Sequence, residues 1–154
     1  MLKVGSKVKD FKLLDFLGNI HSLSQYLGKK VVIYFYPKDN TPACTRQACN
    51  FKDNFGYLKE NGIVLLGISP DGQKSHEKFA SKYSLPFTLL SDEDNSVAKY
   101  FGAWGTKNVY GKQIDGIIRS TYIVDEEGNL EKAWHPANAS KNPNEVIEYL
   151  KQMM

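Results

Sequence analysis

The sequence predicts an α/β fold in which a central mixed β-sheet is flanked by helices. Three observations lead to this fold class: two apolar strands separated by an amphipathic helix, a second pair of strands joined by a tight turn, and an amphipathic helix at the C-terminal end. The 154 residues are enough to bury a hydrophobic core. We therefore expect one domain over residues 1–154.

The first strand and helix form a strand–helix–strand unit. Residues 31–36 are β-branched or aromatic, are apolar on both faces and end at Pro37, which is typical of a central buried strand. Residues 63–68 have the same character. A helix is predicted between them, over about residues 42–60, because apolar residues recur there at helical spacing: Ala48, Phe51, Phe55 and Leu58. This order predicts two parallel strands with a right-handed crossover.

The middle of the chain is predicted to add two helices, Gln73–Tyr83 and Ser96–Phe101, with a short strand at residues 87–90 between them. Residues 102–118 hold four glycines and are predicted to form a long loop. Ser120–Val124 and Leu130–Trp134 then flank a turn sequence, which predicts a hairpin.

The two ends complete the fold. The first thirty residues predict a β-hairpin that turns at Gly18 and Asn19, and a short helix near Ser24. The last helix is predicted to have Asn142 as its N-cap and Pro143 in its first turn. The whole order indicates a thioredoxin-like fold with an N-terminal β-hairpin extension and a helical insertion. In that topology the strand after Arg119 lies antiparallel beside residues 31–36.

Composition excludes several classes of function. The net charge is +3, and no block of like charges appears, so we expect no nucleic-acid partner. No apolar run approaches the roughly 20 residues that span a bilayer, and the N-terminus lacks a signal-peptide core, so we expect a cytoplasmic protein with no membrane partner. The only cysteines are Cys44 and Cys49, and a close pair in a reducing compartment is more often catalytic or metal-binding than structural.

The predicted helix start makes Cys44 a candidate nucleophile. Thr41 is a good N-cap, Pro42 suits the first helical position and Cys44 falls at the third. Free backbone N–H groups and the helix dipole favour a thiolate there. Alone, this spacing leaves two buried core cysteines about as plausible as a redox pair. The strand, proline and loop that precede the helix favour catalysis.

The spacing of the two cysteines predicts a conformational change. Cys44 continues the apolar stripe and is predicted to point inward, whereas Cys49 lies about 140° around the helix and is predicted to point outward. Five residues of helix separate their Cα atoms by roughly 8.7 Å, and a disulfide needs less than about 7 Å. We therefore expect a helix in the reduced protein and a partly unfolded loop in the oxidised one.

Several segments carry a family resemblance. The pattern Pro-x-x-x-Thr-x-x-Cys resembles the signature of peroxiredoxins. The longer segment YPKDNTPACTRQACNFKD at residues 36–53 resembles the bacterioferritin comigratory protein, or peroxiredoxin Q, subfamily. So do LGISPD at 66–71, FTLLSDED at 87–94 and GIIRSTYIVD at 116–125.

The resemblance implies a thiol-dependent peroxidase that reduces hydrogen peroxide and alkyl hydroperoxides. It implies that Cys44 is the peroxidatic nucleophile and Cys49 the resolving cysteine. Thr41 is expected to bond the thiolate and the peroxide, Pro37 to cover the sulfur, and Arg119 to stabilise the thiolate and polarise the O–O bond. The disulfide is expected to be reduced by thioredoxin or a similar dithiol. No metal, flavin or nucleotide cofactor is required, and an intrachain resolving cysteine predicts a monomer.

Other functions and residues stay open at this stage. A general thiol–disulfide oxidoreductase is the nearest alternative, although that activity usually uses Cys-x-x-Cys. A redox-switched sensor or holdase is another. The histidines show no metal-ligand spacing and predict packing or surface roles. Arg46 is predicted to lie on the surface, and for Gln47 a solvated helix face is at least as plausible as a bond within the active loop.

Overall fold

A seven-stranded mixed sheet forms the centre of the molecule in the computed structural model, which describes residues 2–153. Its strands are β1 (Lys12–Asp15), β2 (Ile20–Ser22), β3 (Val31–Phe35), β4 (Val64–Ser69), β5 (Thr88–Ser91), β8 (Ser120–Val124) and β9 (Leu130–Trp134). Across the sheet they lie in the order β2-β1-β5-β4-β3-β8-β9. The helices are α1 (Pro42–Asp53), α2 (Phe55–Glu60), α3 (Gln73–Tyr83), α4 (Ser96–Phe101) and α5 (Asn142–Met153). A short 3₁₀ helix covers Leu23–Tyr26.

The strand pairing confirms the predicted thioredoxin-like class. β3, β4 and β5 are parallel neighbours, β8 lies antiparallel beside β3, and β1 lies antiparallel beside β5. The N-terminal hairpin of β1 and β2 therefore extends one edge of the sheet, and β9 forms the other edge. In the register of β3 and β8, Phe35 pairs with Ser120. The residue before Ser120 is thereby placed at the end of β3 where the chain enters α1.

The core is divided into two clusters by the sheet. Along β3, Val32 and Tyr34 contribute to one cluster, whereas Ile33 and Phe35 contribute to the other, because successive strand residues point to opposite faces. The first cluster contains buried side chains of α1, α2, α3 and α5. The second contains those of α4 and the N-terminal segment.

One sequence prediction was wrong: residues 102–118 are not a loop. They form a two-stranded antiparallel sheet of β6 (Trp104–Val109) and β7 (Lys112–Ile117). The chain turns at Tyr110 and Gly111, which both have positive φ, at 51° and 80°. Gly102 caps the C-terminus of α4, Gly111 serves the turn, and Gly105 pairs with Gly116 across the hairpin. The strands are largely exposed and so lack an apolar alternation.

Two helix boundaries also differ from the prediction. The helix expected over residues 42–60 is interrupted at Asn54, whose backbone N–H donates to Asn50 and Phe51. Asn142 is not an N-cap, because it lies inside α5 and its N–H donates to the carbonyl of Asn138, 2.8 Å away. The Asn138 side chain performs the capping instead, since its Oδ1 accepts from the N–H groups of Ser140 and Lys141. No helix within residues 2–153 is long and apolar enough to cross a membrane.

Candidate functional site

Cys44 lies in the first turn of α1, beneath the loop that leaves β3. Thr41 occupies the N-cap position with extended backbone angles, and Pro42 is the first helical residue. Cys44 is only 1% exposed. Pro37, two residues after the end of β3, is half-buried at the bend of this loop. The inward face of Cys44 follows from the stripe that it shares with Ala48 and Phe51, both of which are buried in the same cluster.

Arg119 brings a positive charge to the Cys44 sulfur. It immediately precedes β8, and the pairing of β8 with β3 carries it to the start of α1. Its Nη2 donates to Cys44 Sγ at 3.4 Å, and its Nη1 donates to Gln47 Oε1 at 2.6 Å. This contact places a fixed positive charge beside the sulfur at the helix start, where the backbone N–H groups are free of helical partners.

Gln47 is the residue of this site that the sequence underestimated. It is fully buried at 0% exposure and does not lie on the solvated helix face that its sequence position made at least as plausible. Its Nε2 is buried with no hydrogen-bond partner among the described residues. The signal in the sequence was its position three residues after Cys44, because residues three apart share a helix face. Gln47 therefore orients the guanidinium that contacts the sulfur.

Thr41 directs its hydroxyl back into the loop. Its Oγ1 donates to the carbonyl of Lys38 at 2.9 Å, and the side chain does not cap the helix. This bond fixes the rotation of the side chain at the N-cap. A contact between the Thr41 hydroxyl and a bound peroxide remains a prediction.

Cys49 lies on the same helix, five residues after Cys44, and is partly exposed. Both cysteines are free thiols. Because α1 runs without a break from Pro42 to Asp53, ideal helix geometry separates the two Cα atoms by roughly 8.7 Å. The two sulfurs cannot bond in this conformation, since a disulfide needs Cα atoms within about 7 Å.

Two buried tyrosines form the wall beneath the site. Tyr34 stacks on Phe51 with ring centroids 4.7 Å apart and on Tyr36 at 5.4 Å. Burial, and then the neighbouring charge at Cys44, raises the pKa of Tyr34 well above its usual value. Burial also raises the pKa of Tyr36, whose hydroxyl donates to Asp39 Oδ1 at 2.6 Å. Both phenols therefore stay neutral, which leaves Arg119 as the charged group in contact with the sulfur.

A buried polar network anchors the loop between β3 and α1. Asp39 Oδ2 bonds with His76 Nδ1 at 2.7 Å and accepts from the hydroxyl of Ser75 at 2.8 Å. His76 Nε2 donates to the carbonyl of Leu90 at 3.0 Å, and the N–H of Asp39 donates to Asp71 Oδ2 at 2.7 Å. The predicted packing role of His76 agrees with its complete burial.

Residues 2–153 contain one group of three side chains that could hold a metal ion, and it belongs to this network. Asp39, Asp71 and His76 each offer a ligand atom, and these atoms lie within 4.8 Å of one another. The ligand atoms already bond to one another or to neighbouring groups. These three side chains therefore act as hydrogen-bond partners that fix the loop between β3 and α1.

The sequence matches one protein family and its curated relatives over most of its length. Residues 4–133 match the AhpC/TSA family. Peroxiredoxin Bcp of Bacillus subtilis is 41% identical over 152 residues, covering 99% of this chain and 97% of the relative. Peroxiredoxin Bcp of Escherichia coli K12 is 42% identical over 151 residues, covering 98% and 97%.

Solved structures show the same similarity. The bacterioferritin comigratory protein of Xanthomonas campestris, studied for its alkyl peroxide reduction activity, superposes with a TM-score of 0.90 at 34% identity, covering 99% of this chain and 98% of that protein. A cysteine-to-serine variant of peroxiredoxin Q from Xylella fastidiosa superposes with a TM-score of 0.94 at 29% identity, covering 99% and 98%.

Proposed function

Because the chain belongs to the AhpC/TSA family, and within it to the Bcp peroxiredoxins, it is a thiol-dependent peroxidase, and we propose that Cys44 and Cys49 carry its reaction. The observation that carries this assignment is the contact of Arg119 Nη2 with Cys44 Sγ at 3.4 Å. It joins a cysteine at a helix start to a fixed positive charge, which is the environment of a reactive thiolate.

In the first step the Cys44 thiolate attacks one oxygen of hydrogen peroxide or an alkyl hydroperoxide. An S–O bond forms and the O–O bond breaks, so the sulfur is oxidised to a sulfenic acid and the peroxide is reduced. The leaving oxygen takes a proton and departs as water or an alcohol. Arg119 and the N–H groups of the helix start stabilise the negative charge on that oxygen. The Thr41 hydroxyl would orient the peroxide after leaving Lys38, and Pro37 would limit access to the sulfur.

In the second step Cys49 resolves the sulfenic acid. Its thiolate attacks the Cys44 sulfur, an S–S bond forms, and the sulfenic oxygen leaves as water after taking a proton. This step requires α1 to open, because the intact helix separates the two Cα atoms by roughly 8.7 Å. Cys49 is partly exposed whereas Cys44 is buried, so a dithiol reductant such as thioredoxin would attack the Cys49 sulfur and restore both thiols by exchange.

Two further features complete the proposal. Both cysteines lie in one helix of one chain, so no partner subunit is needed for the cycle and a monomer suffices. A cysteine pair used in this way requires a compartment that keeps thiols reduced, and we therefore assign the protein to the cytoplasm.

The test compares the wild type with Cys44→Ser and Cys49→Ser in peroxide consumption coupled to a thioredoxin system. Cys44→Ser should lose reaction with peroxide, because serine cannot supply a thiolate. Cys49→Ser should consume one equivalent of peroxide and then stall unless an external thiol is added. Full turnover by Cys44→Ser would refute the assignment.

The same variants separate the peroxidase from the thiol–disulfide oxidoreductase alternative. An oxidoreductase would reduce a protein disulfide such as that of insulin faster than it reduces peroxide, and Cys49→Ser would abolish that activity. We expect the wild type to react with peroxide by far the faster of the two.

A further inference from the structure

One face of α1 is bonded to the segment that leads into α5. Arg46, Asn50 and Asn54 are spaced four residues apart and so form a stripe along the helix. Arg46 Nε donates to Ser140 Oγ at 3.3 Å, and Asn50 Nδ2 donates to the Ser140 carbonyl at 3.0 Å. Asn54 Nδ2 donates to Asn144 Oδ1 at 3.0 Å, near the other end of α1.

The segment that accepts these bonds is itself held in place. Asn138 Oδ1 accepts from the N–H groups of Ser140 and Lys141, both at 2.9 Å, which fixes the turn before α5. The N–H of Ala137 donates to the carbonyl of Arg119 at 2.7 Å. The segment therefore connects the backbone of Arg119 to the outer face of α1, and it presents Ser140 as a preformed acceptor.

We propose that Arg46 and Asn50, through Ser140, form a latch that holds the first turns of α1 closed and thereby sets the rate at which Cys49 reaches Cys44. The inference rests on the proposed function, since it concerns the step between the sulfenic acid and the disulfide. Arg46 lies between Cys44 and Cys49, and Asn50 directly follows Cys49, so both bonds break when the turns that carry the two cysteines open. The contact of Asn54 lies a further turn along α1 and can persist. The latch residues are positioning residues, because they act through the helix and not on the peroxide.

The latch controls how the sulfenic acid on Cys44 is consumed. If α1 opens, Cys49 attacks the sulfur and water leaves, giving the disulfide. If α1 stays closed, a second hydroperoxide oxidises the sulfenic acid to a sulfinic acid and is itself reduced to water or an alcohol. A tighter latch therefore favours the sulfinic acid and a looser one favours the disulfide.

The two latch bonds are exposed to solvent, so each contributes modestly to holding the helix closed. Removing them should raise the fraction of open helix, and with it the rate of disulfide formation, by about threefold to tenfold. The reaction of Cys44 with the first peroxide should be unchanged, because the closed helix remains the dominant form.

The test uses substitutions that leave the helix propensity of α1 nearly unchanged. Ser140→Ala lies outside α1 and removes the acceptor of Arg46. Asn50→Ser removes the amide that donates to the Ser140 carbonyl, and serine and asparagine have similar helix propensities. The matched control is Asn144→Ala, which removes the bond at the far end of α1. Ser140→Thr keeps the hydroxyl and should behave as the wild type.

Each protein is mixed with one equivalent of peroxide, or with a large excess when sulfinic acid is measured, then quenched with an alkylating agent and followed by intact mass over time. The double variant Ser140→Ala/Asn50→Ser should form the disulfide about threefold to tenfold faster and yield less sulfinic acid in excess peroxide, with an unchanged rate of sulfenic acid formation. Disulfide formation at the wild-type rate would overturn the latch. So would an equal acceleration in Asn144→Ala, because that result would indicate a general loss of stability.

Amide exchange of residues 43–50 in the reduced proteins tests the latch without any peroxide. The double variant should exchange faster than the wild type and Asn144→Ala, and equal exchange would overturn the proposal. If the wild type failed to react with peroxide, the proposed function would be refuted, and this exchange measurement would still decide whether the latch exists.

Discussion

The substitution Gln47→Met should reduce the peroxide reaction while leaving the stability of the protein almost unchanged. Gln47 is fully buried and accepts the Nη1 proton of Arg119 at 2.6 Å, while the other nitrogen of that guanidinium contacts Cys44. Methionine has a similar length and helix propensity but offers no comparable acceptor. Arg119 would then lose the bond that fixes its orientation toward the sulfur.

The expected changes in rate and in stability follow from the different surroundings of the oxygen and the nitrogen of the Gln47 amide. A hydrogen bond from a charged donor contributes about 1.5–3 kcal/mol, and if that positioning is lost in the transition state the rate constant falls by about tenfold to 150-fold. The amide Nε2, however, is buried without a partner among the described residues. Removing such a group removes its desolvation cost and so raises the free energy of unfolding by about 1–3 kcal/mol. The two contributions nearly cancel in the free energy of unfolding, but only the first affects the reaction.

The assay is stopped-flow measurement of the second-order rate constant with hydrogen peroxide, paired with urea unfolding of the same preparations. Gln113→Met is the matched control, since Gln113 is an exposed glutamine on β7 and should change neither quantity. A Gln47→Met protein with the wild-type rate constant would refute the positioning role. A parallel loss of rate and stability would show that Gln47 acts only through the integrity of the fold.

Three other predictions concern the stability of the fold. Gly67→Ala should destabilise the protein by about 1–3 kcal/mol in urea unfolding, because a Cβ there would lie 2.9 Å from side-chain atoms on both flanking strands. Gly56→Ala should instead stabilise it by about 0.5–1 kcal/mol, because Gly56 lies on α2 with open space around it. His76→Leu should cost about 1–3 kcal/mol, because Asp39 Oδ2 and the carbonyl of Leu90 would each lose a buried hydrogen-bond partner, and an unchanged free energy of unfolding would contradict this role. Burial, and then a hydrogen bond to Glu131, raises the pKa of Tyr149 to about 12 from the usual 10.0. The neutral phenol therefore contributes fully to stability below pH 10, and this contribution is lost as the pH rises toward about 12. NMR titration should show a lower Tyr149 pKa in Glu131→Gln.

The sequence predicted best the elements whose residues carry a one-dimensional pattern. α3, α4, β8 and β9 begin and end where the periodicity and turn residues indicated. The prediction that the strand after Arg119 lies beside β3 also agrees with the pairing of Phe35 and Ser120. These elements could be predicted because the spacing of apolar residues in a strand or an amphipathic helix follows from which of its faces is buried.

The features that were not predicted depend on contacts distant in sequence or on polar groups. β6 and β7 pair with each other and bury little, so the hairpin leaves no apolar alternation to detect. Asn138 and Asn142 are both plausible caps, and only the folded turn distinguishes them. The burial of Gln47 depends on Arg119, which is far away in the chain. The network of Asp39 and His76 likewise joins residues from separate elements.

The division of the core by the sheet has a consequence for durability over many turnovers. Opening the first turns of α1 withdraws Cys44 and Ala48 from one cluster, while the cluster on the opposite face, which contains Phe35 and Phe101, keeps its contacts. The strand ladders between the clusters also remain paired. In the proposed cycle, part of one helix unfolds and refolds at each turnover, while the cluster on the opposite face and the strand pairing stay intact and guide that helix back to the same packing.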